Sequence, residues 1–114
     1  MHSYDSNNIF ARILRNEIPC KKILETEYAL AFEDIKPQAP IHVLVIPKGP
    51  FVSIDDFIKG ATSKEINHFW HAVGEVARKL KLPESGYRVL TNSGRDAHQE
   101  VMHFHVHILG GRSL

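Results

Sequence analysis

The chain has 114 residues, with 14 lysines and arginines against 13 aspartates and glutamates, a formal charge of +1. That length supports one domain over residues 1–114, and so even a balance gives no global electrostatic case for a nucleic-acid or membrane-surface partner. A single cysteine, Cys20, excludes an intramolecular disulfide and points to a reducing, cytoplasmic setting, and no signal-like segment or apolar run of ~20 residues is visible.

Residues 1–5, His2 included, read as a disordered leader. Asp5, Ser6 or Asn7 can cap a short helix running to about Asn16, on which Ile9, Phe10, Ile13 and Leu14 recur at helical spacing. Glu17-Ile18-Pro19 ends it. Pattern alone reads Ile9, Phe10 and Ile13 as core. Cys20 follows Pro19 with no acid–base partner adjoining it, a poor setting for a nucleophile. Lys22–Glu25 and Tyr28–Glu33 read as a strand pair around a Glu25-Thr26-Glu27 turn. The two prolines of Ile35-Lys36-Pro37-Gln38-Ala39-Pro40 stiffen a loop. Asp34 at its lip either bonds local backbone N–H groups or accepts from a ribose diol. Ile41–Pro47 is an apolar strand interrupted by His42, a core histidine if alone and a tautomer-fixing partner if other histidines lie beside it.

Ser53–Gly60, with Ile54, Phe57 and Ile58, reads as a loop or one irregular turn. Thr62-Ser63-Lys64-Glu65 has capping-box form and opens a helix striped by Ile66, Phe69, Trp70, Val73, Val76, Ala77 and Leu80, which stops before Pro83. His68 and His71 fall off the stripe and read as surface residues. Gly86–Asn92 reads as a strand and Ser93–His98 as a polar loop. Asn92 either caps a turn or offers its amide to a phosphate oxygen. A bend at Gln99-Glu100-Val101 would present consecutive N–H groups as an anion-binding nest, with Glu100 either assisting proton delivery or facing solvent.

The chain then reaches His103-Phe104-His105-Val106-His107-Ile108-Leu109. In an extended strand the three histidines share one face, while Phe104, Val106 and Ile108 fill the other. Core building does not call for histidine there. Two chemistries fit: a zinc site with an open water position, or attack on phosphorus by one imidazole while its neighbours orient it and hold anionic oxygens. A purification tag would be contiguous and terminal.

This alternation resembles the signature of the histidine triad (HIT) superfamily of nucleotide hydrolases and transferases. The likeness extends to Phe32-Glu33-Asp34-Ile35-Lys36-Pro37-Gln38-Ala39-Pro40, His42-Val43-Leu44-Val45-Ile46-Pro47-Lys48, Gly86-Tyr87-Arg88 through Asn92, Gln99-Glu100-Val101 and Gly110-Gly111-Arg112. Together these run from about Ile9 to Arg112 and resemble the Hint branch, the nucleoside phosphoramidases. The resemblance implies an α+β fold: a five-stranded, mainly antiparallel sheet with two helices, joined sheet to sheet in a two-fold homodimer. It implies hydrolysis of the P–N bond of an adenosine or guanosine 5′-phosphoramidate, with a purine nucleoside monophosphate as ligand. His105 would attack phosphorus and form a nucleotidyl-histidine that water resolves. His107 and the amides near Glu100 and Val101 would stabilise charge, His103 and His42 would fix ring orientation, and Asn92 and Gln99 would hold the phosphate. Ile9, Phe10, Ile13, Phe32 and Ile35 become base contacts and Asp34 the ribose ligand. No metal or other cofactor is required.

The other readings are a dinucleoside polyphosphate hydrolase of the Fhit type, disfavoured by the Gly-Gly-Arg and Gly-Tyr-Arg segments, a purine-nucleotide-binding module with incidental catalysis, and a His-based zinc protein. Three departures from the Hint pattern stand out. Asn8 and Ala11 occupy the place of a Cys-x-x-Cys zinc pair, and Gly49-Pro50 that of a further histidine, which points to a changed loop shape. The chain stops at Arg112-Ser113-Leu114, where many relatives continue, which points to looser selection among leaving amines.

Overall fold

The computed structural model describes residues 3–114, with Met1 and His2 outside that range. Helix α1 (Ile9–Leu14) is followed by strands β1 (Lys22–Glu25), β2 (Ala29–Glu33) and β3 (Ile41–Pro47). Helices α2 (Ile54–Gly60) and α3 (Ser63–Lys79), strand β4 (Arg88–Leu90), a 3-10 turn at Arg95–Ala97 and strand β5 (Val106–Gly110) complete the chain. The strands form one antiparallel sheet in the order β1-β2-β3-β5-β4. The α+β fold and five-stranded sheet expected from the sequence are therefore present. Among the described residues, no helix is long and apolar enough to cross a membrane.

Side-chain alternation gives the sheet two different faces. Ala29, Ala31, Val43, Val45, Val106 and Ile108 point toward α2 and α3, where they pack with Phe57, Phe69, Val73, Val76 and Phe104. The rings of Phe57, Phe69 and Phe104 lie about 5 Å apart, an aromatic cluster at the centre of this larger core. Leu30, Phe32, Leu44 and Ile46 point the other way, against Phe10 and Ile13 of α1. With only six residues, α1 covers part of that second face, and the remainder carries His42 and His107.

Capping fixes the helix starts. The Thr62–Glu65 box is present: Glu65 N–H donates to Thr62 Oγ1 at 3.0 Å and Thr62 N–H to the Glu65 carboxylate at 2.9 Å. Three expectations change. The cap of α1 is Asn8, whose Oδ1 accepts from Ala11 N–H at 2.9 Å, while Asp5 closes the turn before it by accepting from Asn7 N–H. Ser53–Gly60 is a capped helix rather than an irregular turn. The Asp56 carboxylate accepts from the N–H groups of Val52 (2.7 Å) and Ser53 (2.6 Å), and Phe57 points into the core. The fold accordingly has a third helix. Of the leader expected over residues 1–5, Met1 and His2 lie outside the described residues, whereas Tyr4 is half-buried and its hydroxyl reaches His103.

The Gly-Gly pair has a packing cause. A Cβ at Gly110 would meet Leu82 Cδ2 at 2.7 Å, and Gly111 has φ +93° with Pro40 Cβ 2.9 Å from where its own Cβ would stand.

Candidate active site

The site lies on the half of the sheet that α1 leaves open. Directly paired residues share a face, so Phe32, Leu44, His107 and Leu90 form one row across β2, β3, β5 and β4. Beside it, His42, Leu109 and Arg88 form a second row, which Asp34 extends by donating its N–H to the His42 carbonyl. A groove of about 380 Å³ lies over the β4–β5 end of these rows, lined by Gln38, His42, Asn92, His107, Arg88 and Arg112 among others.

The alternation of the three histidines holds, but the regular strand begins only at Val106. Phe104 is anchored by its N–H to the Phe51 carbonyl (2.7 Å), and Thr91 Oγ1 donates to the His105 carbonyl (2.6 Å). These bonds to neighbouring segments hold residues 104 and 105 without a ladder, and His103 itself lies in a bend. Strand β4 is likewise shorter at both ends than the Gly86–Asn92 expected; Gly86, at φ +98°, is in a conformation that a strand does not use.

Hydrogen-bond partners fix the tautomer of each imidazole, since a carbonyl can only accept and a backbone N–H can only donate. His105 Nδ1–H donates to the His103 carbonyl at 2.7 Å, which leaves its Nε2 with a lone pair and no proton. His103 Nε2–H donates to the Pro47 carbonyl at 2.9 Å, so its Nδ1 is the acceptor for the Tyr4 hydroxyl at 2.7 Å. Gln38 N–H donates to His42 Nδ1 at 3.0 Å, so His42 Nε2–H donates to His107 Nδ1 at 2.9 Å. His107 Nε2 then carries a proton available to a ligand.

Burial keeps the triad uncharged. Desolvation lowers His103 to about 4 against the opposing pull of the Pro47 carbonyl. It lowers His107 to about 4 as well, helped by the nearby His105 and His42. His105 is also lowered by burial, with the His103 carbonyl opposing. At neutral pH the site therefore presents one unprotonated nitrogen on His105 and one N–H on His107.

The remaining candidates divide by surroundings. Phe10 and Phe32 are buried beneath the site, with the Phe10 ring 5.0 Å from His105 and 5.6 Å from Phe32, both edge-on. Ile13 sits in the smaller core, as its spacing suggests. Ile9 is 42% exposed and Ile35 89% exposed. Asp34 takes its turn role with Oδ1, which accepts from Lys36 N–H at 2.8 Å, while Oδ2 lies 3.4 Å from His42 Nε2. Asn92 lines the groove. Glu100 faces solvent, and Val101 packs on the smaller core.

Gln99 serves the loop. Its buried amide donates to the carbonyls of Val52 and Val101 and accepts from Gly94 N–H, which leaves it little capacity for a phosphate. Tyr4, Thr91 and the Pro47 carbonyl are contributors that sequence reasoning missed. Each reaches the histidines through the tertiary fold, which local spacing does not reveal.

Asp34, His42 and His107 each offer a ligand atom within 4.8 Å of the others, a donor set that could take a metal ion. Two of those residues are already hydrogen-bonded to each other, and His42 Nε2 carries the proton that a metal would have to displace.

A HIT domain model matches residues 15–114. The chain belongs to the HIT family. It is 62% identical over 112 residues to an uncharacterized 13.2 kDa HIT-like protein of Azospirillum brasilense, covering 98% of this chain and 92% of that one. It is 36% identical over 106 residues to the purine nucleoside phosphoramidase of Escherichia coli, covering 93% and 88% of the two chains. Among solved structures, a HIT family hydrolase from Legionella pneumophila superposes with a TM-score of 0.87 at 38% identity, covering 94% of this chain and 95% of that one. The histidine cluster of this HIT chain supports the hydrolase activity typical of its family.

Proposed function

We propose that this protein is a purine nucleoside phosphoramidase that works through a nucleotidyl-histidine intermediate. The observation that carries the reading is the His105 Nδ1–H bond to the His103 carbonyl, which leaves Nε2 uncharged with its lone pair free to attack. His105 Nε2 attacks the α-phosphorus, a P–N(His) bond forms, and the P–N bond to the amine breaks. A bound phosphoryl anion favours protonation of His107, and that proton leaves on the amine. Water then attacks phosphorus, the P–N(His) bond breaks to release the nucleoside monophosphate, and the proton of the water returns to His107. No metal enters either step.

The nucleoside lies over β2 and β3 in this reading. Ile9 and Ile35, apolar and exposed, flank a purine above Phe10 and Phe32, with Ile13 packed beneath. Asp34 Oδ2 accepts from the ribose, and Asn92 and the backbone at Glu100 and Val101 contact the phosphate. The activity of the similar Escherichia coli protein supports the choice of bond. The partner is a second copy of the chain, paired through the open edge of three-residue β4, where Val89 in the strand and Tyr87 just before it stand 42% and 41% exposed. The setting is cytoplasmic.

The test is steady-state turnover of an adenosine 5′-phosphoramidate bearing a fluorescent amine, with wild type and His105→Ala, each with and without EDTA. Turnover that survives EDTA and vanishes in the variant is expected. Loss of turnover in EDTA, with stoichiometric zinc in untagged protein, would instead favour a metal at Asp34, His42 and His107.

A further inference from the structure

The histidines carry one hydrogen bond that the proposed reaction does not use. Tyr4 Oη lies 2.7 Å from His103 Nδ1, and the two rings meet edge to face at 5.6 Å. The contact joins positions 99 residues apart. Tyr4 is delivered by a pinned segment: Asn8 N–H and Asn8 Nδ2 both donate to the Asp5 carbonyl, and Arg15 donates to the Ser6 carbonyl at 2.7 Å. The turn is thus tied to both ends of α1, the helix whose Phe10 packs against His105.

Resting on the phosphoramidase reading, we propose that Tyr4 is a positioning residue for the nucleophile, acting through His103. The His103 ring is fully buried, and its Nε2–H is committed to the Pro47 carbonyl. Its Nδ1 therefore has to accept, and the phenol is the donor that satisfies it. Bonded at both nitrogens, the ring is locked in one orientation, and with it the His103 backbone. The carbonyl of that backbone holds His105 Nδ1–H at 2.7 Å and so sets the line along which Nε2 meets phosphorus. Without the hydroxyl, Nδ1 is a buried acceptor with no partner and His103 is held at one nitrogen only. Tyr4 touches no reacting atom in this arrangement, so its contribution falls on the attack step and not on nucleotide affinity.

The experiment is Tyr4→Phe, which keeps the ring contact and removes the hydroxyl, read by turnover and by 15N NMR of the histidine side chains. We expect kcat to fall three- to tenfold, about the worth of one neutral hydrogen bond, with KM unchanged. The His103 Nδ1 resonance should move toward that of an acceptor without a donor, while Nε2 stays protonated. An unmoved Nδ1 resonance overturns the proposal whatever happens to the rate. A moved resonance with unchanged kcat also overturns it, since the bond is then only structural. If wild type turns over no phosphoramidate at all, the functional reading fails, and the resonance separately reports whether Tyr4 holds His103.

Discussion

Burial of the triad ties folding stability to pH between about 6.5 and 4. His103 has a folded-state pKa of about 4 against an ordinary value near 6.5. The unfolded chain takes up the proton first, so stability is full above about pH 6.5 and is lost as pH falls toward 4. Between pH 7 and pH 5.5 the difference for His103 alone is about 1 kcal/mol, from the ratio of protonated fractions in the two states. His107, also lowered to about 4 but partly exposed, adds a smaller share. The assay is urea unfolding at pH 7 and 5.5 at fixed protein concentration, comparing wild type with His103→Gln. Glutamine can donate to the Pro47 carbonyl and accept from Tyr4 yet does not titrate, so the variant should lose about 1 kcal/mol less than wild type over that interval. Equal losses in the two proteins would refute the assignment of this linkage to His103.

Further outcomes follow from individual contacts. His42→Ala removes the donor to His107 Nδ1 and should lower kcat by roughly 100-fold, the lower end of what one acid–base group contributes; an unchanged kcat in steady-state assays would show that the pair is dispensable. Asp34→Ala should raise KM for a ribonucleotide substrate more than for its 2′,3′-dideoxy analogue, and equal effects on both would exclude the ribose contact. Gln99→Leu leaves two carbonyls and one N–H without their partner and should cost about 2–4 kcal/mol in urea unfolding, whereas a loss below 1 kcal/mol would mean that water replaces the amide. Phe104→Ala empties the centre of the aromatic cluster and should cost about 3–5 kcal/mol by the same measurement.

Much of this architecture is legible in residue spacing. The seven-residue apolar run of β3, the Thr62 box with its helical stripe, and the His-apolar alternation each carry their periodicity on the surface of the sequence. Asp56 hid α2, because a seven-residue helix offers barely two turns of pattern and its cap uses Asp where Glu is the usual sign. The irregular stretch before the triad strand was hidden for another reason. The carbonyl of His105 and the amide of Phe104 are satisfied by Thr91 and Phe51, choices made by tertiary packing. Gln99 offered the amide that a phosphate subsite needs, and the fold spends it on three backbone groups. Tyr4 is the extreme case, since nothing local in a polar leader distinguishes a tyrosine that bonds a residue 99 positions away.

Both supports of the triad come from a single strand. His42 near the start of β3 steadies His107, and the carbonyl of Pro47 at its end steadies His103. The interval between them is five residue steps of extended chain, roughly 17 Å at the usual rise. Because β3 is flanked on both sides and buried along nearly its whole length, this ruler belongs to the last part of the molecule to open. Heating should therefore leave the alignment of the imidazoles intact until the whole domain melts, and an insertion or deletion of one residue in β3 would throw both supports out of register together.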